Sequence, residues 1–344
     1  MKEEIKDADF ILNLEKAGNL FSNDEKKLKE EYKKLIKLWH PDSNKNEKAS
    51  LVFQKINELY QQALELIKDG KWESKGYLQL KRSGEIPISI CYLFHQTFEL
   101  GNIYICGQWI LYLFDKDKKK YYENALKRIN QFIFYDEYME KEIKQYLPQF
   151  YHNKLNYGEA ESGEFYIAVK QEKDTISLLD IKKYYQKNFY HKYTAWIISR
   201  LLNLACYFEF SKIVHNGITI QNCFISPKNH SVYLYGGFWY TTKQKEKMLG
   251  VPKQVYDSMP PNVKSTKCAD STTDLESIKA IGRELLESVK DVPKPFQKWL
   301  YAGCCDSALE EMERWDKVIL DSYGKRKFVE MKLTQKEVYG FCCL

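Results

Sequence analysis

The stretch EKKLKEEYKKLIKLWHPDSNKNEKASLVFQKINELYQQALELIK, residues 25–68, has the apolar spacing of two helices joined by a polar loop. In each half, apolar side chains recur every three or four residues and so share one helix face. These side chains are Leu28, Tyr32, Leu35 and Trp39 in the first half and Phe53, Ile56, Tyr60, Ala63 and Ile67 in the second. Asn23 or Asp24 is suited to cap the first helix, and Pro41 ends it. The stretch predicts an antiparallel helical hairpin.

The opposite face of the first predicted helix is basic, with lysines again three or four residues apart. These lysines are Lys26, Lys29, Lys33 and Lys37. The tripeptide His40-Pro41-Asp42 follows directly, where the helix must end. Because proline restricts the backbone, His40 and Asp42 are expected on a rigid, exposed turn beside a surface that attracts an acidic partner.

The lysine-faced helix, the tripeptide, the polar loop and the second helix together resemble the DnaJ-type J domain over about residues 5–68. The resemblance implies that His40, Pro41, Asp42 and the four lysines bind a DnaK-type chaperone ATPase and stimulate its hydrolysis. The first helix of the family is matched only by the short segment ADFILNL. Neither a Gly/Phe-rich segment nor a cysteine-rich zinc module follows. A plain helical hairpin with a solvated lysine face is the alternative.

Composition and length indicate a two-domain globular protein of 344 residues with a net charge of +6. We predict a J domain over residues 1–69, a linker over 70–76 and a second domain over 77–344.

The nine cysteines lack the spacing of a disulfide framework or a zinc site, which favours a reducing, cytoplasmic location. Phe341 stands where a prenylation signal needs cysteine. No membrane-spanning run is present in the sequence, and the charge excess is too small to predict nucleic-acid binding.

The second part of the chain begins with short segments rich in Ile, Tyr and Phe, typical of strands, and becomes mostly helical after about residue 178. The segment AWIISRLLNLACYF predicts a buried helix, and TTDLESIKAIGRELL another, capped by Thr272 or Thr273. Strands first and helices afterwards predict a bilobal α+β domain, with a first lobe over about 77–175 and a second over 176–344.

Residues 195–239, AWIISRLLNLACYFEFSKIVHNGITIQNCFISPKNHSVYLYGGFW, resemble the centre of the protein-kinase fold, whose pattern is H-R-D-L-x-x-x-N followed by D-F-G. The resemblance extends over about residues 77–325. It places His215 at the first position, Gly217 at the base, Asn222 at the metal-binding Asn, and Gly236 or Tyr235 at the metal carboxylate. It also places Tyr112 at the phosphate-binding Lys and Asp274 at the acid that braces the catalytic loop. The whole chain is similar to J-domain proteins with a C-terminal kinase-like domain from bacteria and their phages.

Phosphoryl transfer needs a lysine on the phosphates, a base near the acceptor and a carboxylate on Mg²⁺. None of these residue types occupies the matched positions, and no Asp or Glu occurs anywhere from Phe210 to Lys245. The segment around Gly101 also lacks a glycine-rich loop. The sequence therefore predicts a pseudokinase with no catalytic residues, no metal and no cofactor, joined to a J domain that recruits a chaperone to an unidentified client.

The same residues also allow other interpretations. His215 is also consistent with a structural core histidine, Asn222 with a residue that only bonds its own loop, and Asp274 with a helix-cap acid. Tyr112 either fills the former nucleotide cavity or is an ordinary strand residue. For the whole chain, the second interpretation is a divergent kinase-fold phosphotransferase with unconventional catalytic residues. A nucleic-acid-binding protein ranks last.

Overall fold

The computed structural model describes residues 7–12, 14, 17–21, 25–68, 77–84, 87–106, 108–151, 156–325 and 328–339. The chain divides into two compact units. Among described residues, the first unit contains those up to His95 together with 160–162, and the second contains the rest. No helix in the described part is long and apolar enough to cross a membrane.

The N-terminal part of the first unit is helical. It consists of α1 (Ala8–Leu12), a 3-10 turn (Ala17–Asn19), α2 (Glu25–Leu38) and α3 (Ala49–Lys68). The helical hairpin predicted for residues 25–68 is therefore confirmed, and α1 is as short as its sequence suggested. The predicted caps Asn23 and Asp24, and the predicted linker, lie outside the described residues.

The core between α2 and α3 is formed largely as predicted on the α2 side, where Leu28, Leu35 and Trp39 are buried. On α3 the predicted seam is wrong by one position for two of its five members, and a third, Ile67, is only partly buried. The fully buried residues there are Val52, Ile56, Leu59 and Ala63. Neighbouring positions on a helix are about 100° apart, so Phe53 and Tyr60 flank this seam and are only partly buried. Tyr60 instead stacks on Tyr32, with ring centroids 3.9 Å apart.

The first unit also contains an antiparallel hairpin of β1 (Tyr77–Leu80) and β2 (Ile88–Cys91). A five-stranded antiparallel sheet follows, in the order β3-β4-β5-β7-β6. Its strands are β3 (Phe94–Phe98), β4 (Gly101–Ile105), β5 (Trp109–Phe114), β6 (Tyr157–Glu159) and β7 (Phe165–Lys170). Two helices lie between β5 and β6 in the chain, namely α4 (Lys119–Ile129) and α5 (Glu137–Lys144). β5 and β7 form the apolar centre of this sheet because they are paired on both sides and almost wholly buried.

The remainder of the second unit is mostly helical. Its helices are α6 (Leu178–Tyr185), α7 (His191–Phe210), α8 (Lys253–Ser258), α9 (Pro261–Thr266), α10 (Ser271–Leu286), α11 (Lys294–Tyr301), α12 (Ala308–Tyr323) and α13 (Gln335–Tyr339). Short strands are β8 (Ile176–Ser177), β9 (Ile213–Val214), β10 (Cys223–Ser226), β11 (Ser231–Leu234) and β12 (Thr242–Lys243). The predicted α+β class, with strands preceding helices, is confirmed for this part of the chain.

The centre of the helical part is the contact between α7 and α10, both of which bury most of their length. Gly282 allows this close approach, because a Cβ there would lie 2.5 Å from Leu300 and 2.9 Å from Ile198. The predicted cap of α10 at Thr272 or Thr273 is wrong. The side chain of Asp270 caps the helix by accepting hydrogen bonds from the Thr272 backbone N–H and hydroxyl.

Candidate functional sites

The turn after α2 is closed by hydrogen bonds that satisfy the end of the helix. The backbone N–H groups of Ser43 and Asn44 both donate to the carbonyl of His40, at 3.0 and 2.9 Å. The Asn44 side-chain amide donates to the carbonyl of Leu38 at 2.9 Å. Because the last carbonyls of a helix otherwise lack partners, these bonds give the turn a defined backbone.

The side chains of this turn are presented to solvent. His40 is 48% exposed and Asp42 is 89% exposed. The His40 ring lies edge-on to Phe53, with centroids 5.6 Å apart, and its Nδ1 accepts a hydrogen bond from the Asp42 backbone N–H at 3.3 Å. The imidazole is thus held in place on one side. The Asp42 carboxylate lies 3.8 Å from the same Nδ1 and is otherwise exposed to solvent.

The predicted basic face of α2 is solvent-exposed at Lys26, Lys29, Lys33 and Lys37. Lys29 is paired with Glu25 at 2.6 Å, one helical turn earlier. Lys33 and Lys37 have no carboxylate within 4.0 Å among the residues that the structure describes. These two lysines therefore supply uncompensated positive charge on the turns of α2 that lead to His40.

In the second unit, Asp274 holds a buried loop at its centre. Its carboxylate accepts hydrogen bonds from the backbone N–H groups of His215 at 2.7 Å and Asn216 at 2.9 Å. Burial raises the pKa of Asp274 to about 7, although the two backbone donors oppose the shift. Asp274 does not cap α10, which was one interpretation of its position, because Asp270 does so.

The His215 side chain is a neutral core group. Its ring is 2% exposed and tilted against Phe208, and its Nδ1 accepts a hydrogen bond from the Gly217 backbone N–H at 3.2 Å. Burial lowers the pKa of His215 to about 3. An imidazole with such a low pKa remains neutral at physiological pH and here shapes the loop backbone.

Asn222 connects the two glycine-containing segments of this centre. Its side-chain amide donates to the carbonyl of Gly217 at 2.9 Å, and its own backbone carbonyl accepts the N–H of Gly236 at 3.2 Å. Both of these bonds are to backbone atoms. They agree with the interpretation of Asn222 as a residue that bonds the backbone of its own loop.

Three glycines pack against one another where the matched kinase positions carry side chains. A Cβ at Gly236 would lie 2.5 Å from Asn222 Oδ1 and 3.0 Å from the Tyr112 hydroxyl. A Cβ at Gly217 would lie 2.6 Å from the carbonyl oxygen of Gly237. Gly237 itself has φ +80°, a conformation that residues with a side chain rarely adopt. A carboxylate side chain at Gly217 would therefore require the Gly237 backbone to move, and one at Gly236 would require the buried side chains of Asn222 and Tyr112 to move.

Tyr112 fills the space between the five-stranded sheet and this glycine cluster. Its ring is fully buried and contacts Phe98, Phe238 and Trp239 edge-on, with centroids 6.1, 6.2 and 4.9 Å away. Burial raises the pKa of the Tyr112 hydroxyl, which has no hydrogen-bond partner within the described residues. An aromatic side chain thus occupies the position that the resemblance matches to the phosphate-binding lysine.

The turn between β3 and β4 is bonded directly to the segment after the glycine pair, a connection that the sequence did not indicate. The Tyr240 hydroxyl donates to Glu99 Oε1 at 2.5 Å. Near it, the Gln221 side-chain amide donates to the carbonyl of Thr97 at 2.9 Å. Both contacts join residues more than 120 positions apart, so no local sequence signal could reveal them.

Within the part of the chain that the structure describes, no group of three or more His, Cys, Asp or Glu side chains could hold a metal ion. Near the glycine cluster, Asn222 offers only amide oxygen, whereas hard dications prefer anionic oxygen.

Comparison with known proteins identifies one family. The family model described as "DnaJ domain" matches residues 11–65. No curated protein matches the chain. Among solved structures, the chain is similar to that of vaccinia related kinase 3, with 13% sequence identity and a TM-score of 0.46. The match covers 73% of this chain and 92% of the kinase chain. The N-terminal helices of this chain form a J domain, as its sequence predicted.

Proposed function

We propose that this protein is a J-domain co-chaperone that recruits a DnaK-type ATPase and stimulates its hydrolysis. The observation that carries the proposal is the exposed His40-Pro41-Asp42 turn at the end of α2, within residues that match the DnaJ domain. The uncompensated charges of Lys33 and Lys37 support it, because they suit an acidic partner surface.

We further propose that the second domain is kinase-like and does not transfer phosphate. The order of elements supports this, because the five-stranded sheet precedes the helical part. Asp274 braces the loop at His215. Tyr112 lies on the third strand of the sheet, where protein kinases carry lysine. The close packing at Gly217 and Gly236 also supports it, because side chains there would have to displace Gly237, Asn222 or Tyr112. In this proposal the domain holds a client or partner protein through its surface.

The decisive experiment is steady-state ATP hydrolysis by a purified DnaK-type chaperone with and without the full chain. We expect clear stimulation by the wild type and none by His40→Gln. The matched control is Glu47→Gln, an exposed residue in the same loop, which should stimulate like the wild type. If several DnaK-type ATPases, including that of the source organism, show no response to the wild type, the proposal is wrong.

The second experiment tests the glycine-lined centre by thermal unfolding with and without Mg-ATP. Because the Tyr112 ring is buried among aromatic side chains and its hydroxyl lies beside Gly236, we expect no shift in Tm. A Mg²⁺-dependent rise in Tm, together with transfer of labelled phosphate, would instead support the alternative, a divergent kinase-fold phosphotransferase.

The remaining predictions concern the setting of the protein. The seven described cysteines are free thiols, which supports a reducing, cytoplasmic location. The resemblance to bacterial and phage proteins points to the same compartment. A pull-down that compares the wild type with His40→Gln identifies the chaperone as the protein lost in the variant, and the client as a protein retained by both.

A further inference from the structure

A cavity of about 250 Å³ lies in the second unit, away from the glycine cluster. One wall is the exposed face of α7, where Lys192, Trp196 and Arg200 follow at intervals of four residues and so point the same way. The opposite wall includes Tyr323 at the end of α12. Neither the proposed chaperone contact nor the kinase-like centre uses any of these residues.

Flat rings form one side of the cavity. The His230 imidazole is stacked between Trp196, at 4.9 Å and 11°, and Phe328, at 4.1 Å and 13°. Phe328 is 74% exposed although it completes this column of three rings. Met312 and Ile319 contribute an apolar surface. The cavity therefore favours a ligand with a flat, apolar ring.

The lining contains Lys192, Arg200 and Lys325 and no acidic side chain. Within the described residues, none of the three has a carboxylate within 4.0 Å. Arg200 uses its Nε to bond the carbonyl of His230 at 3.1 Å, and Lys192 lies over the Tyr323 ring at 5.7 Å. Glu330, which is near enough to influence His230, has Lys332 as its ion-pair partner at 3.9 Å. The charge of the lining thus favours an anion.

Two ring nitrogens of the lining also lack partners. His230 is 9% exposed, and its Nε2 has no hydrogen-bond partner in the described structure. The same holds for Nε1 of Trp196. Both nitrogens are shielded from the cavity as well as from solvent, so what the lining offers a ligand is its ring faces and its three cations.

We propose that this cavity binds a small aromatic anion, in which a one- or two-ring system carries a carboxylate or phosphate group. The ring packs against the aromatic lining, and Arg200 and the two lysines bind the anionic group. The size is suitable, because a cavity of roughly 150 Å³ accommodates benzene and the remaining volume accepts a second ring or the anionic group. The proposal is independent of the chaperone function and of the state of the glycine cluster.

The test is isothermal titration of the full chain, in buffer free of nucleotide and Mg²⁺, with 2-naphthoate. The matched probes are 2-naphthalenemethanol, which has the ring without the charge, and acetate, which has the charge without the ring. We expect 2-naphthoate to bind at least about tenfold more tightly than either probe. Equal affinity for 2-naphthoate and the alcohol would overturn the proposal, because the cations would then play no part.

Variants locate the binding. Arg200→Gln should weaken 2-naphthoate binding roughly fivefold or more, and Phe328→Ala should weaken it through loss of the ring stack. Both residues are exposed, so the fold should be retained, and an unchanged Tm verifies this. Lys264→Gln, elsewhere on the second unit, is the charge-matched control and should bind like the wild type. Undiminished binding by both Arg200→Gln and Phe328→Ala would also overturn the proposal.

Discussion

The exposed turn at His40–Asp42 and the buried centre around Asn222 contrast in what their residues do. In the turn, the backbone is held by a few local hydrogen bonds and the side chains face solvent. In the centre, the side chains of Asp274 and Asn222 are buried and bond backbone atoms of the chain itself. The turn thus leaves its side chains to solvent, as our proposal of a chaperone contact requires, whereas the centre holds its own loops together.

Substitutions in the two regions should therefore change different properties of the protein. Exposed side chains contribute little to stability, so changes in the turn should alter partner binding alone. Buried residues with many contacts contribute much, so changes in the centre should alter the free energy of unfolding.

The largest expected effect is that of Gly236→Ala. The added Cβ would lie 2.5 Å from Asn222 Oδ1 and 3.0 Å from the Tyr112 hydroxyl. Both side chains are buried, and Asn222 cannot shift without straining its bond to the Gly217 carbonyl. We expect a loss of about 3 kcal/mol or more in the free energy of unfolding. Urea denaturation measures it. Gly303→Ala, at an exposed glycine with open space, is the control and should change stability by less than about 0.5 kcal/mol. Equal effects at the two positions would show that the centre is not tightly packed.

The pH dependence of stability distinguishes the two buried titratable groups of the centre. The pKa of Asp274, about 7, is above its unfolded value, so its contribution to stability is lost as pH rises from about 4 to 7. The pKa of His215, about 3, is below its unfolded value, so its contribution is lost as pH falls below about 6.5. The two effects oppose each other between about pH 4 and 6.5.

Asp274→Asn should therefore unmask the His215 effect. Relative to the wild type, the free energy of unfolding of the variant should rise with pH by up to about 1.4 kcal/mol per unit between about pH 4 and 7. Urea denaturation at pH 4.5, 5.5 and 6.5 checks the slope. Asp306→Asn, on an exposed bend, is the control. Parallel pH profiles for the wild type and Asp274→Asn would contradict the prediction.

A smaller difference is expected between the contributions that two buried tyrosine hydroxyl groups make to the free energy of unfolding. Tyr240→Phe removes the hydrogen bond to Glu99 and should cost about 1 kcal/mol. Tyr112→Phe removes a buried hydroxyl without a described partner, so it should be neutral or slightly stabilising. Chemical denaturation of the two variants in parallel provides the comparison, and a greater loss for Tyr112→Phe would contradict it.

The smallest effect on stability is expected at the lysine face of α2. Lys33→Glu should leave the unfolding free energy unchanged and weaken chaperone binding roughly fivefold at low salt, with the difference shrinking as salt screens the charges. Surface plasmon resonance at two salt concentrations measures this. Lys187→Glu, an exposed lysine of the second unit, makes the same change in net charge and should have no effect. Equal weakening by both variants would show only a dependence on net charge.

Local patterns predicted most of the secondary structure but not its finer packing. The helices α2, α3, α7 and α10 were predicted because apolar periodicity and proline act over a few residues. The α3 seam was partly wrong, since Val52 and Phe53 are both apolar and only the contact with α2 decides which is buried. The cap of α10 was also misplaced, because Asp270 and Thr272 are both competent caps.

The candidate sites were predictable only where their residues are close together in the sequence. His40, Pro41 and Asp42 are adjacent in sequence, so their motif is visible before folding. The lack of acids between Phe210 and Lys245 was equally visible. By contrast, the Glu99–Tyr240 bond, the fit of Tyr112 against Gly236 and the rings around His230 join distant segments.

The sequence by itself determined that residues 25–68 form a helical hairpin with a His-Pro-Asp turn, and that no Asp or Glu occurs from Phe210 to Lys245. Helix periodicity, the restricted backbone of proline and residue identity are local properties that one chain displays fully. Only the tertiary structure decided that Tyr112 and Asn222 pack against Gly236 and that a ring-lined cationic cavity lies elsewhere. Both depend on distances between segments far apart in the chain, which are set by the folded core.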